Sequence, residues 1–450
     1  MESVDLIIRA KYVITMGNPL VIEDGAVAIK DGVIVSVDRA DRVMSNFKAE
    51  EIIERGKHIL MPGLIDAHTH TQQVFLRSFV NDRRLSLPQI WTKLLIPFED
   101  LLTDDLAYLS SLVSVVGMVK NGITTFIEAG APKPLELIRA VNEVGIRGII
   151  TPSTFDIGEN KLLDTKEVIR RVEGLLPHVN DRVRVWCSIR QIMMASLELL
   201  MGVRDFCLRH GLGITYHMGE YQGEIDYSFM KYGKRPLEVF DELGLTGIKP
   251  TVIAHGVYLS IKERGIIKER GLGIAWCPTV DSIYMGPHWL PLFGDYMFGI
   301  GSDGGGFTDL DLFHEARVAR AVGKALTIGI NYDKSSFNTI TLMRALTGWG
   351  GRLINDNVGV MRPGYRADLV TLRLDDPRIL PIHDPMETVI TALSGREIND
   401  VLVNGEFIVN NSNLVKVDEV ELINKIYDVT PTITDKLGGL VCNLFSFYFK

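Results

Sequence analysis

Ile59-Leu-Met-Pro-Gly-Leu-Ile-Asp-Ala-His68-Thr-His70 is an apolar run that ends on two histidines. Residues 60–69 read as a β-strand. On a strand, residues two apart share a face. The imidazoles of His68 and His70 can therefore aim at one point, and imidazole is a good ligand for zinc or iron. Taken alone, the pair fits a structural role as well as a metal-binding one.

The same texture repeats downstream. Further strands are expected at 123–129, 148–152, 183–189, 213–217, 251–255, 273–277 and 297–302. Helical patterns follow most of them, at 104–120, 134–144, 166–175, 197–210, 237–243 and 310–325. Alternating strands and helices mark βα units with a parallel sheet. Eight such units close more naturally into a (β/α)8 TIM barrel than into an open sheet. The flanks differ. Asp24-Gly25 and Asp31-Gly32 punctuate short strands near the start, and Asn404-Gly405 does so near the end. Residues 1–58 and 360–420 are thus expected to build one small β-sandwich domain, 59–359 the barrel, and 421–450 a helical docking tail. The connection 71–104 is long and follows the first barrel strand, which makes it a candidate lid.

With 46% hydrophobic and 23% charged residues, the 450-residue chain has the make-up of a large folded core. A net charge of −8 with mixed signs leaves no basic footprint, so no nucleic-acid partner is expected. Cys187, Cys207, Cys277 and Cys442 form no Cys-x-x-Cys pair, so neither a thiolate zinc site nor a disulfide framework is expected. Without a long apolar run or a signal-peptide pattern, a reduced cytoplasmic protein away from membranes is the simplest reading. The aromatic tail 438–450 reads as a docking or oligomer-interface segment.

Three more motifs fall where barrel strands should end: His217-Met-Gly-Glu220, Ala254-His255, and Gly301-Ser-Asp303-Gly304. Each alone fits a bonded core histidine or a turn aspartate. Together they share the C-terminal mouth, the face that carries barrel active sites. His58, His178, His210, His288, His314 and His383 fall elsewhere and read as surface or structural. Three imidazoles and a carboxylate suit one divalent metal with an open position for water. Such a metal lowers the pKa of water from ~15.7 to ~7, which is on the order of 12 kcal/mol of hydroxide stabilisation. No nucleophile elbow, phosphate loop or dinucleotide fingerprint competes with this reading, and the His-x-Glu…Pro-Cys-x-x-Cys deaminase signature is missing.

This set resembles the amidohydrolase superfamily, in the chlorohydrolase and deaminase group. That group includes methylthioadenosine/S-adenosylhomocysteine, guanine and cytosine deaminases and s-triazine hydrolases. The resemblance rests on Pro62-Gly-Leu-Ile-Asp-Ala-His-Thr-His70, Gly122-Ile-Thr-Thr-Phe126, His217-x-x-Glu220, Ala254-His255-Gly256, Cys277-Pro-Thr279 and Gly301-Ser-Asp303-Gly304. It continues through 359–370, Asp384-Pro385 and Val401-Leu-Val-Asn-Gly-Glu406, and so covers nearly the whole chain.

It implies a hydrolytic deaminase of a cyclic amidine (nucleoside, purine, pyrimidine or triazine) that uses metal-bound hydroxide and releases ammonia. A triazine chlorohydrolase or aminohydrolase is the alternative, and a non-catalytic scaffold a remote third. By resemblance, His68, His70, His217 and Asp303 hold one divalent ion, zinc first and iron(II) second. His255 polarises the substrate, Glu220 shuttles a proton to the ring nitrogen, and Asp303 takes one from water. Cys187-Ser-Ile-Arg190-Gln191 lacks the lysine that bridges two metals in dinuclear relatives. Gln73, Glu99, Arg190 and His255 are the implied substrate contacts. Glu99 matches a glutamate that holds ribose hydroxyls, although a solvated or structural role suits Gln73, Glu99 and Arg190 equally. Trp276, Asp281 and Pro152 depart from the pattern and weaken S-adenosylhomocysteine as the substrate. A small nitrogen heterocycle and a homo-oligomer are the implied partners.

Overall fold

The computed structural model describes residues 1–80, 86–158, 161–292 and 296–442. Strands β1 (Glu2–Ile14), β2 (Val21–Lys30) and β3 (Val33–Arg39) form an antiparallel meander. Asp31 and Gly32 turn it with φ of 51° and 73°, the left-handed pair that a tight hairpin demands. β4 (Phe47–Pro62) then runs parallel to β1 and leads directly into β5 (Leu64–Thr69). Gly63 makes the joint, where a Cβ would lie 2.2 Å from the Thr124 side chain.

From β5 the chain alternates strands and helices. β6 (Ile123–Glu128) pairs in parallel with it, and β7 (Arg147–Ile150) in parallel with β6. A small hairpin, β8 (Ile157–Gly158) and β9 (Lys161–Leu162), precedes β10 (Val183–Val185) and β11 (Cys187–Ile189). β12 (Ile214–Met218), β13 (Thr251–His255), β14 (Gly273–Trp276) and β15 (Phe298–Ile300) follow. Pairing runs β10-β7-β6-β5 and β11-β12-β13-β14-β15. The strand expected at 183–189 is split at Trp186, whose indole packs so close to Gly213 that a Cβ there would lie 2.4 Å from the ring. Asp303 N donates to His68 O at 3.0 Å, so the last strand meets the first and the ring closes. All side chains of β5 and β6 are buried, as parallel strands covered on both faces require.

Helices cover this ring, Asp104–Lys120 buried on most of its faces and others along one apolar stripe. Pro134–Val144 buries Leu137, Ile138, Val141 and Val144, and stops at left-handed Gly145. Leu197–His210 begins where the Ser196 hydroxyl accepts from Leu199 N at 3.0 Å. This helix lies against β11 and overturns one expectation. Cys187 and Cys207 are joined by a disulfide, with Cα atoms 6.7 Å apart. Strand–helix packing brings together thiols twenty residues apart, a proximity that cysteine spacing does not encode. Cys277 is free and buried.

β16 (Leu369–Arg373), β17 (Ile398–Val403), β18 (Glu406–Asn410) and β19 (Asn413–Leu414) return to the first sheet. Its order is β19-β18-β17-β16-β4-β1-β2-β3, so both ends of the chain share it. The sheet curls over: Ile34 N donates to Tyr365 O at 2.8 Å and Ala367 N to Gly32 O at 2.9 Å. The helix Glu419–Cys442 then crosses back to the connection 71–104, where Ile433 and Leu437 bury against Trp91, Leu94, Leu95 and Phe98. The aromatic residues 443–450 of the expected docking tail lie outside the described residues. Among the described residues no single helix is long and apolar enough to cross a membrane.

Arg147 joins the two bodies. Its Nε and Nη2 donate to the Asp368 carboxylate at 2.9 and 3.1 Å, with both side chains buried. Removing one partner strands a buried charge. Arg147→Met should therefore lower the unfolding free energy by about 3–5 kcal/mol, as read by urea denaturation. An unchanged midpoint would show that this pair does not hold the terminal sheet to the barrel.

Candidate active site

The buried Asp66 carboxylate accepts the backbone N–H of His68 at 3.2 Å, the backbone N–H of Ser302 at 3.0 Å and the Ser302 hydroxyl at 2.6 Å. It thereby clamps the end of β5 to the loop after β15. The side chains carried by those two segments meet, with His68 Nε2 3.1 Å from Asp303 Oδ1. Asp303 sits at a left-handed φ of 56°, followed by Gly304 at 94°. A Cβ on Gly304 would lie 2.8 Å from His70 O, so glycine permits this close approach.

His70 Nε2 lies 3.3 Å from His217 Nε2 and 3.6 Å from Asp303 Oδ1. Ligand atoms of His68, His70 and His217 all fall within 4.8 Å of one another. Donors bound to a tetrahedral zinc at about 2.0–2.1 Å stand about 3.4 Å apart. The observed spacings fit one such ion. Burial, reinforced by the neighbouring His68 ring, pushes His70 and His217 well below the ordinary imidazole range. They are therefore neutral, the form that a metal requires. For Asp303, burial acts upward. The hydrogen bond from His68 and the nearby histidine charges outweigh it and hold the carboxylate below its usual value.

Glu220 and His255 face this cluster from the ends of β12 and β13. Glu220 Oε1 lies 3.9 Å from His255 Nε2. Gln191 Nε2 donates to Glu220 Oε2 at 2.8 Å. The turn beneath is held by Glu224, which accepts Gly219 N at 3.0 Å and Glu220 N at 2.9 Å. Burial pushes Glu220 up to about 7. His255 Nδ1 lies 2.8 Å from Asp281 Oδ1, so Nδ1–H donates there and Nε2 turns toward Glu220. Burial lowers the His255 pKa, but the flanking Glu220 and Asp281 carboxylates raise it to about 10. His255 has a φ of 65°, a conformation that costs a non-glycine residue on the order of 1–3 kcal/mol. His288 Nε2 donates to His255 O at 2.8 Å and Trp289 Nε1 to Gly256 O at 2.6 Å, which hold that backbone in place.

Over these groups Leu87, Ile90, Trp91 and Leu95 form a roof from the connection 71–104, and Val280, Tyr284, Met285 and Phe307 form an apolar wall. The roof lies close over the groups beneath, leaving about 30 Å³ open to a water-sized probe. The expected lid segment does cover the mouth. Residues 81–85 within it lie outside the described residues.

The fold brings together His68, His70, His217, Glu220, His255 and Asp303. Arg190 also lines the cavity, whereas Gln73 and Glu99 do not. Glu99 is buried behind the wall, paired with Arg190 at 2.6 and 2.9 Å and with Gln73 Nε2 at 2.7 Å. Sequence reasoning did not identify Asp281, Gln191, Glu224 or His288 as supports of the site. Asp281 shows in the chain only as a departure from the resembled pattern, because its partner is set by packing.

Comparison with known proteins agrees with this geometry. Residues 59–408 match the profile of the Amidohydrolase family. A 5-methylthioadenosine/S-adenosylhomocysteine deaminase of Acetivibrio thermocellus is 26% identical, over 95% of this chain and 99% of that protein. A 5'-deoxyadenosine deaminase of Methanopyrus kandleri is 30% identical, over 92% and 96%. The crystal structure of a zinc-bound adenosine deaminase from Xanthomonas campestris aligns with a TM-score of 0.88 at 25% identity, over 97% of this chain and 99% of its own. Atrazine chlorohydrolase from Arthrobacter aurescens shares the fold at a TM-score of 0.85 and 20% identity, over 95% and 100%.

Raising the Glu220 carboxyl from 4.5 to about 7 means that the folded protein binds this proton more tightly than the unfolded chain does. Below about pH 4.5 both states hold it and nothing is lost; stability falls as pH rises toward about 7 and stays reduced above. In chelated protein, Glu220→Gln should therefore raise the melting temperature more at alkaline than at acid pH. An equal gain at both would mean that Glu220 is not a buried, reluctantly ionised acid.

Proposed function

Because the chain belongs to the amidohydrolase family, we propose that it is a metal-dependent deaminase of an amino-substituted nitrogen heterocycle. It is a hydrolase of carbon–nitrogen bonds. One observation carries the substrate reading: a buried acid, raised to about 7, faces a histidine beside the clustered His68, His70 and His217, with Asp303 Oδ1 3.1 and 3.6 Å from the first two.

In this reading His68, His70, His217 and Asp303 hold one divalent ion. Zinc is preferred over iron(II), since three imidazoles and a carboxylate suit it and the aligned adenosine deaminase carries it. When bound, such an ion acts as a Lewis acid and brings the pKa of a coordinated water down to about 7. Asp303 accepts one proton from the attacking water. Glu220 delivers a proton to the ring nitrogen beside the amidine carbon, the proton taken by Asp303 passes to the departing amine, and the added hydroxyl returns its proton to Glu220. The C–O bond forms, the C–N bond breaks, and ammonia leaves. His255 Nε2–H holds the substrate, its ring orientation fixed by the Nδ1–H bond to Asp281. The apolar roof keeps bulk water out, so these few charges act in a low-dielectric space. The terminal sheet is read as the curled two-layer sandwich of residues 1–58 and 360–420, because β1–β4, β16 and β17 fill one apolar cluster.

Ammonia release from a panel of aminopurines, aminopyrimidines, their nucleosides and aminotriazines tests the reading. His217→Ala should lose metal and turnover together. Glu220→Gln should keep its metal and lose about 10²-fold or more in kcat. Full turnover after thorough chelation would overturn the metal assignment, and full activity in Glu220→Gln would remove Glu220 from the chemistry.

A further inference from the structure

The helix Glu419–Cys442 brings the chain to the roof of the active site, and eight residues follow it: Asn443-Leu-Phe-Ser-Phe-Tyr-Phe-Lys450. Phe445, Phe447 and Phe449 alternate along the segment. Aromatic residues two apart are the pattern of an extended stretch with one apolar face. At about 3.3 Å per residue, the three rings would line up over about 13 Å. The chemistry above makes no use of them. Left in water, they would forgo the burial that favours such side chains, so the pattern calls for an apolar surface of matching length.

The surface behind the roof supplies one. An open groove of about 760 Å³ lies there. Trp91, Ile96 and Pro97 enter it from the roof segment, and Phe155, Met193 and Met194 from the loops after β7 and β11. The lining is mostly apolar, and its two methionines adapt their shape to an incoming ring and favour contact with ring edges. The helix end lies within reach of it. Leu437 and Leu440 pack on the cluster that includes Trp91, Ile96 and Met193. The roof helices Trp91–Leu95 and Ile96–Asp100 together run about 15 Å, and a helix with its side chains is about 10–12 Å across. Eight extended residues span about 26 Å. That is enough to pass from any side of these short helices into the groove.

We propose that residues 443–450 dock in this groove of their own chain, with Phe445, Phe447 and Phe449 turned inward, and brace the roof from behind. Trp91 connects the two places, because it lines both the groove and the active-site cavity. Cover over the site then depends on a segment remote from it in sequence.

The test uses the full-length protein with p-benzoylphenylalanine in place of Phe447. Heavy and light isotope-labelled chains are mixed and irradiated, and crosslinks are mapped by mass spectrometry. The label should join Met193 or Met194 of the same chain. Phe155→Asp, which places a charge in the groove, should cut that yield about 10-fold without changing the melting temperature. In unlabelled full-length protein, the triple variant Phe445→Ser/Phe447→Ser/Phe449→Ser should speed amide hydrogen exchange over residues 91–96 about 10-fold. If Phe155→Asp does not fold, the crosslink map and the exchange rates decide. Crosslinks between heavy and light chains would give the groove to a second copy. Crosslinks elsewhere, or none, would leave it without this occupant, and unchanged exchange in the triple variant would remove the brace. Each of these results overturns the proposal.

Discussion

The carboxylate of Asp66 links the first barrel strand to the last. Three hydrogen bonds, one to β5 and two to Ser302, set how far His68 stands from Asp303. Barrel closure and donor geometry are thus one constraint. A shift of β15 along β5 would open the ring and scatter the donors together. Burial pushes Asp66 itself up to about 7, so the clamp holds its charge at a cost that only its donors offset.

The mouth of the barrel concentrates such costs. Burial also pushes Glu128 to about 7 and Glu224 to about 8, and each carboxylate accepts backbone N–H groups that shape a loop. His255 and Asp303 occupy left-handed backbone conformations. These features weaken the isolated fold and hold the side chains in place. Strain and buried charge persist at such positions when the surrounding structure over-determines them. Here the surroundings are a ring of mostly buried strands, a cover of helices, and an ion pair to the terminal sheet.

The roof has a different physical character. It is apolar and local in sequence, and the C-terminal helix braces it from outside through Ile433 and Leu437. The polar wall below, with Arg190 and Gln191, is fixed by the barrel, so the roof and the wall belong to separate elements. Arg190 and Gln191 sit on the loop after β11, apart from the strands β5 and β12 that carry His68 and His217.

The chain itself determined the periodic features. Alternation every two residues places His68 and His70 on one face. Apolar runs divided by amphipathic helices dictate parallel strands, and turn pairs such as Asp31-Gly32 mark the β-rich ends. All of these are local, so they are legible without the fold. Tertiary structure alone decided what depends on distant partners: the break at Trp186 against Gly213, the Cys187–Cys207 bond, the pairing of His255 with Asp281, and the withdrawal of Glu99 behind Arg190. A side chain's role at such positions follows from what packing sets against it, and linear spacing carries no record of that.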